Sequence, residues 1–458
     1  MACHSKYALL GCFASALLYP LAIHTWGPLV AFAITPAILS FCLAKRFRLV
    51  VALAWGTGAL GSFLTQHTLW VVTLPGTAFL ACYQGLTWIP MAIGVRSLWR
   101  CYQFPLTISW PIAWCAGECL RTLGPLGTNF GTLAVPETTT TWMLQIVDLA
   151  GAGIAAFPLA MTQGWFADAI LAGWKVSPGR DRHRFILRRI FVSRSTTALL
   201  VTWIGVTSYG YWRLQEIKSN LNSGPTLTVI ATDIVALPGG QSSYDPDLLL
   251  KKLQDYTKES VEFVPEPKMV VWPEGMLGST IKSKAFLSSN FDHRIKNQFF
   301  NSGALPQNEE VLRLQWENFQ NEAMAIESTF QQWVESLGVP VTIGMEAWLE
   351  SPQDSQMAFE RHNAAVLFDP VEGQSTNTQS KCRLYPHGEF IPWKGTLLEN
   401  FLNKWIGPPR TEYTPGKTRL VYKLKGTDTR YVISLCSELK YNHLKGEKSK
   451  RLIKPNYS

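Results

Sequence analysis

Val270-Val271-Trp272-Pro273-Glu274-Gly275 puts a carboxylate just beyond a short apolar run. Valines followed by tryptophan are residues that fill a buried strand, and a proline with a glycine two residues later ends it. Two other reactive side chains have comparable surroundings. Lys381 opens Lys381-Cys382-Arg383-Leu384-Tyr385-Pro386-His387-Gly388-Glu389-Phe390-Ile391-Pro392, and Cys436 follows Tyr431-Val432-Ile433-Ser434-Leu435. Around them, strand-like runs are read over 227–232, 268–272, 339–345, 364–368, 419–424 and 431–435. Helical patterns over 247–263 and 308–337 intervene, the second closed by Gly338 and Pro340. Strands alternating with helices predict an α/β unit.

Each of the three side chains has an ordinary reading and a chemical one. Cys436, after a β run, is either a buried strand-end cysteine or a thiol whose thiolate is favoured by outward-pointing N–H groups. Glu274 is either a turn carboxylate or a base for that thiol. Lys381 is either a solvated lysine or a donor to an oxyanion. Their order and strand settings, together with the Leu-x-Pro-x-Gly-Glu-x-x-Pro pattern over 384–392, favour the chemical readings jointly.

The N-terminal half differs in kind. Seven apolar stretches are long enough to be considered as membrane spans, over 7–24, 27–44, 49–65, 69–95, 105–123, 141–173 and 195–212. The first has the weak basic n-region of Lys6 and His4 and no small-x-small cleavage site, so a retained helix is expected rather than a signal peptide. Lys45, Arg46 and Arg48 follow the second stretch, and Arg96 and Arg100 follow the fourth. Lys175, Arg180, Arg182, Arg184, Arg188, Arg189 and Arg194 follow the sixth, whereas the loops after the first, third and fifth carry almost no basic residues. That alternation predicts a cytoplasmic N-terminus and everything after residue 213 on the outer side.

Composition narrows the classes. At 458 residues two or more domains are expected, and 18 tryptophans suit interfacial anchoring. The net charge of +9 is concentrated in one inter-span loop, which fits a membrane protein better than a nucleic-acid face. Of nine cysteines (Cys3, Cys12, Cys42, Cys82, Cys101, Cys115, Cys119, Cys382 and Cys436), seven lie in or beside the apolar stretches. No pair has zinc-site spacing backed by histidines, and disulfides are not expected to staple the soluble part.

A glutamate, a lysine and a strand-end cysteine in this order look like the nitrilase-type carbon–nitrogen hydrolase triad. With the apolar first half, the whole resembles the apolipoprotein N-acyltransferase family of bacterial inner membranes. Glu118-Cys119-Leu120-Arg121 resembles the family's motif after the fifth span, and Gln145-Ile146-Val147-Asp148-Leu149-Ala150-Gly151 its sixth-span opening. The resemblance implies a multi-span α-helical membrane domain (1–212) followed by a periplasmic α/β nitrilase-like α-β-β-α sandwich (213–458). It implies Glu274, Lys381 and Cys436 as the catalytic triad, with Glu389 and Glu438 as supporting acids. The implied reaction moves an acyl chain from a membrane phospholipid, through a Cys436 thioester, to the α-amine of a lipoprotein's diacylglyceryl-cysteine. It needs no metal or organic cofactor, and its partners are the lipid donor, the lipoprotein acceptor and membrane lipids, with no nucleic acid. A membrane-anchored amidase using water as acceptor, and an inactive membrane scaffold, are the alternatives.

Three features depart from that pattern. Lys381 follows Glu274 by 107 residues, longer than usual, with the excess in about 280–336. Ser437 stands where an aromatic residue is common. Only 22 residues follow Cys436, polar and strongly basic, so an incomplete C-terminus lacking an eighth span is expected.

Overall fold

A computed structural model describes residues 5–24, 27–71, 73–123, 126–127, 131–133, 140–174, 193–220, 224–230, 246–264, 266–274, 282–300, 308–386, 388–406, 412–435 and 438. The chain divides into two compact units, Met1–Asn222 and Ser223–Ser458.

The first unit is helical among its described residues: α1 Ser5–His24, α2 Thr35–Leu43, α3 Phe47–Thr65, α4 Leu74–Arg100, α5 Leu106–Arg121, the single turns α6 Thr141–Leu144 and α7 Val147–Ala150, α8 Ala152–Trp174, and α9 Arg194–Ser219. Among the described residues four helices are long and apolar enough to cross a membrane: Ser5–His24, Phe47–Thr65, Leu74–Arg100 and Gly153–Trp174. This composition is that of a membrane protein. On α1 the buried side is Ala8, Cys12, Ser15, Ala16 and Tyr19, while Tyr7, Leu9, Leu10 and Phe13 are exposed. An apolar outer face of this kind suits hydrocarbon rather than water.

Expected span 27–44 is shorter in the structure, because a 3-10 turn over Gly27–Ala31 precedes the nine-residue α2. The orphan carbonyls at the end of α2 are capped from α4. Arg96 Nη1 donates to Phe41 O at 2.8 Å and Ala44 O at 2.7 Å, and Arg100 Nη2 donates to Cys42 O at 2.7 Å. Stretch 141–173 begins as the two single turns and becomes a continuous helix only from Ala152. Asp168 on α8 caps α5, accepting from Leu106 N at 3.0 Å and Thr107 N at 2.9 Å. Close helix contact needs a small residue at Gly85 of α4, where a Cβ would lie 2.8 Å from Trp55 O on α3. The basic residues 175–189 lie outside the described residues; Arg194 begins α9.

The second unit is mixed α/β. Its main sheet contains β1 Leu227–Val229, β2 Met269–Val271, β3 Val341–Glu350, β4 Phe359–Asp369, β5 Gly373–Gln374 and β6 Gln379–Ser380. β1, β2 and β3 pair parallel, while β4 pairs antiparallel with β3, β5 and β6. The parallel connections run through α10 Pro246–Phe263 and α13 Glu309–Leu337. Asn308 caps α13 by accepting from Glu310 N at 3.1 Å, and Gly338 closes it at φ 69°, the left-handed conformation that glycine adopts without strain.

Strand periodicity then separates two faces. Val341, Ile343, Met345 and Ala347 of β3 join Ala364, Val366 and Phe368 of β4 in a core with Leu253, Phe330 and Val334 from α10 and α13. The opposite face carries Gly344, Glu346 and Trp348 of β3 with Arg361 and Asn363 of β4, and there the candidate site is built. The long connection over 280–336 contributes α11 Lys284–Leu287, α12 His293–Phe300 and the first part of α13. Phe286, Ile295 and Trp316 from these helices form one aromatic-rich cluster with Ala358 and Phe359, against which Phe299 and Trp348 pack.

The expected strands 419–424 and 431–435 shrink to β7 Tyr422–Lys423 and β8 Arg430–Tyr431, paired with each other. Side chains take the N–H groups that a longer ladder would use. Leu420 N donates to Gln379 Oε1 at 2.6 Å and Leu435 N to Glu438 Oε2 at 3.0 Å.

Candidate active site

Lys381 follows β6 and is 1% exposed. Its backbone is held on both sides: its N–H donates to Asn363 O at 2.8 Å and its carbonyl accepts from Gly416 N at 2.8 Å. A fully buried ammonium is strongly disfavoured without compensating charge. Two carboxylates supply it. Lys381 Nζ lies 3.2 Å from Glu274 Oε1 and 2.8 Å from Glu389 Oε1.

Asn363 completes the arrangement from β4. Its Nδ2 donates to the same two atoms, Glu274 Oε1 and Glu389 Oε1, at 2.6 Å each. One ammonium and one amide therefore bridge two carboxylates, holding them together while leaving one excess negative charge. Glu389 is fixed further, because its Oε2 accepts from Tyr385 N at 2.6 Å and its backbone carbonyl from Tyr413 N at 2.8 Å. Glu274 is the more open carboxylate, with its side chain 25% exposed. Its approach to the sheet requires Gly344, where a Cβ would fall 2.5 Å from Glu274 Cα.

Of the expected site residues, the structure brings Glu274, Lys381 and Glu389 into one cluster. Glu438 occupies a neighbouring position as a clamp. Entirely buried, its Oε1 accepts from Cys382 N at 2.5 Å and Arg383 N at 3.1 Å, its Oε2 accepts from Leu435 N at 3.0 Å, and Arg419 Nη2 lies 3.7 Å away. Cys436 and Ser437 lie outside the described residues, as do His387 and the tail 439–458. Asn363 is the participant that sequence reading missed. Its signal is an amide at the point where polar Glu360-Arg361-His362 gives way to apolar Ala364-Ala365-Val366-Leu367-Phe368.

The residues noted in the first unit act as structural pairs. Glu118 and Arg121 are buried 3.5 Å apart, with Leu133 N donating to Glu118 at 3.2 Å. Asp148 accepts from Tyr209 OH at 2.8 Å and Arg213 Nε at 2.9 Å. Among the described residues no group of three or more His, Cys, Asp or Glu side chains is arranged to hold a metal ion.

Beside Asn363, His362 has a different environment. Its imidazole is buried, and Nε2 lies 3.6 Å from Glu360 Oε2. Burial lowers its pKa below the usual 6.5, with Glu360 and a backbone hydrogen bond at Thr414 opposing. Because the unfolded chain binds the proton more readily, stability from neutral His362 is fully present above pH 6.5 and falls as pH drops below it. Thermal midpoints of the detergent-solubilised protein at pH 7.5 and 5.5 should therefore differ less in His362→Gln than in the unmodified chain. An identical acid-induced drop in both would refute this.

Among solved structures, an amidase from Nesterenkonia sp. matches 49% of this chain and 60% of its own, at 12% identity and a TM-score of 0.27. The chain thus spans about 60% of that amidase's length. No protein-family model and no curated protein matches the chain.

Proposed function

We propose that this chain is a membrane acyltransferase working by carbon–nitrogen-hydrolase chemistry at Glu274, Lys381 and Cys436. Its donor is a phospholipid and its acceptor the α-amine of a diacylglyceryl-cysteine on a lipoprotein. The location proposed is a bacterial inner membrane, with the second unit on the periplasmic side, on the basis of the alternating Lys/Arg distribution. The observation carrying the reading is the buried Lys381 held 3.2 Å from Glu274 and 2.8 Å from Glu389. The clamp at Glu438 adds to it, because Glu438, two residues after Cys436, accepts from Leu435 N just before it and from Cys382 N and Arg383 N, the two residues that follow Lys381.

In this reading Glu274 takes the thiol proton and the Cys436 sulfur attacks the ester carbonyl. Lys381 donates to the oxyanion, and its fixed position means that little reorganisation accompanies the charge that develops. The C–O bond of the ester breaks, Glu274 returns the proton to the departing lysophospholipid oxygen, and a thioester remains. The acceptor amine then attacks, passes its proton to Glu274, and expels the sulfur, which is reprotonated. Glu389 and Asn363 hold Glu274 and Lys381 in register throughout.

The test uses full-length protein in neutral-detergent micelles with a phospholipid labelled in its acyl chain. A hydroxylamine-sensitive label on the protein, chased onto a diacylglyceryl-cysteine peptide as a hydroxylamine-stable amide, is expected. Release only as free fatty acid, at a rate unaffected by the peptide, would instead make the chain a hydrolase. No protein label would sink the covalent reading.

A further inference from the structure

Glu346 stands directly opposite Asn363 in the β3–β4 register, so a second group of charges adjoins the Glu274–Lys381 cluster on the same sheet face. Its buried carboxylate is fully engaged. Oε1 accepts from Arg361 Nε at 3.2 Å and Trp348 Nε1 at 2.8 Å, and Oε2 accepts from Arg361 Nη2 at 2.7 Å and Tyr413 OH at 3.3 Å. A carboxylate with four donors has little capacity left for another cation.

Lys282 is nevertheless there. It is 8% exposed, and its Nζ lies 5.8, 5.7 and 5.7 Å from the ring centroids of Phe286, Phe319 and Trp348. Arg361 shares the Trp348 ring, with its guanidinium carbon 5.2 Å from the centroid. Among the described residues no acceptor lies within hydrogen-bond reach of Lys282 Nζ. Aromatic faces offset part of the desolvation of an ammonium but accept none of its three N–H groups in a directed hydrogen bond. Two cations therefore face one saturated carboxylate, and no described residue accepts from the Lys282 ammonium. Such a pair of positive charges with one engaged counter-charge favours an anion.

We propose that Lys282 and Arg361 form an anion subsite that receives the phosphate of the acyl donor while its ester carbonyl meets Lys381. The proposal rests on the acyltransferase reading and names how that donor is held. In a glycerophospholipid six bonds separate an outer ester carbonyl carbon from phosphorus, a reach of about 7 Å when bonds of ~1.5 Å are projected through their tetrahedral angles at ~1.2 Å each. That suits neighbouring clusters on one sheet face. Lys282 comes from the long 280–336 connection, which gives that connection a role in donor selection. Arg361 is about one-third exposed and leaves the subsite open to solvent on its side.

Burial lowers the Lys282 pKa below the ordinary lysine value; Glu346 opposes this and Arg361 adds to it. The neutral amine fraction, and with it acylation by a soluble reagent, is therefore raised in the empty site and falls when an anion binds. Pulsed acetylation of the full-length protein at pH 8, read by peptide mass spectrometry against exposed Lys423, tests this without needing turnover. A short-chain diacyl phospholipid is expected to slow Lys282 acetylation about tenfold, the change that a charge-assisted hydrogen bond confers, while a short-chain diacylglycerol leaves it unchanged. Slowing by inorganic phosphate as well supports the anion site. Slowing by phosphate alone overturns the assignment to the lipid, and equal slowing by diacylglycerol, or none by phospholipid, overturns the proposal. In parallel, Lys282→Met should raise KM for phospholipid about tenfold with kcat nearly unchanged, and Lys282→Arg should restore it. KM for a neutral nitrophenyl ester should not move. A fall in kcat with both donors would reassign Lys282 to a structural role. Failure of thioester formation with the labelling pattern intact would separate the loss of the acyltransferase reading from the loss of this one.

Discussion

Cys436→Ser is expected to lower acyl transfer from phospholipid by about a thousand-fold or more, because a serine hydroxyl lacks the thiolate that attacks the ester. Cys382→Ser should stay within about twofold of the unmodified chain, because the acceptors that its half-buried side chain meets also serve a hydroxyl. The contrast discriminates well because the two cysteines belong to segments that Glu438 ties together. Cys382 Sγ lies 3.7 Å from Ser380 O and 3.6 Å from Thr418 O, two carbonyls that a serine hydroxyl also satisfies. Its backbone N–H, not its sulfur, makes the contact with Glu438. The measurement is acyl transfer to the peptide amine together with hydroxylamine-sensitive labelling. Label that persists in Cys436→Ser, or that disappears in Cys382→Ser, would move the nucleophile away from Cys436. An unchanged thermal midpoint in Cys436→Ala would separate chemistry from folding.

What sequence alone could read depended on whether a residue's role is local. Helix 308–337 was legible to within a residue of α13, because Asn308 and Gly338 act through their own backbone neighbourhoods. Glu274 and Lys381 were legible as candidates from their order, strand settings and the pattern over 384–392, and Glu389 only through the family resemblance. Asn363 was not. An amide following Glu360-Arg361-His362 in a strand acquires meaning only when the register sets it opposite Glu346 and beside Lys381. The shortened α2 has the same origin, since the carbonyls that end it are held by Arg96 and Arg100 from a helix about fifty residues away. Nor did the length of 280–336 disclose its packing. Phe286, Phe299 and Trp316 lie on three different helices and become neighbours only through the fold. Lys282 drew no notice in the sequence, because the absence of an acceptor for its ammonium among the described residues depends on Glu346 being engaged by Arg361, Trp348 and Tyr413.

Glu438→Ala should cost about 3–5 kcal/mol of stability in the second unit, the range found when one partner of a buried charge pair is removed. The carboxylate is fully buried and receives three backbone N–H groups, from Cys382, Arg383 and Leu435. Each buried donor left unsatisfied costs about 1–3 kcal/mol, so the loss is large even where water recovers some of them. Arg419, largely buried and 3.7 Å from the carboxylate, would also lose its counter-charge. For a unit of this size, at ~2–4 °C per kcal/mol, the thermal midpoint should fall by about 6–20 °C. Glu438→Gln retains one acceptor oxygen but presents an amide N–H where either Leu435 or Cys382 also donates, so an intermediate loss is expected. Activity should fall with stability because the same contacts hold the residues flanking Cys436 against the segment that begins at Lys381. A kinetic readout distinguishes positioning from simple unfolding: well below the midpoint, kcat should drop while KM for phospholipid changes little. Equal midpoints and equal kcat in Glu438→Ala would show that the clamp neither stabilises the unit nor positions its nucleophile.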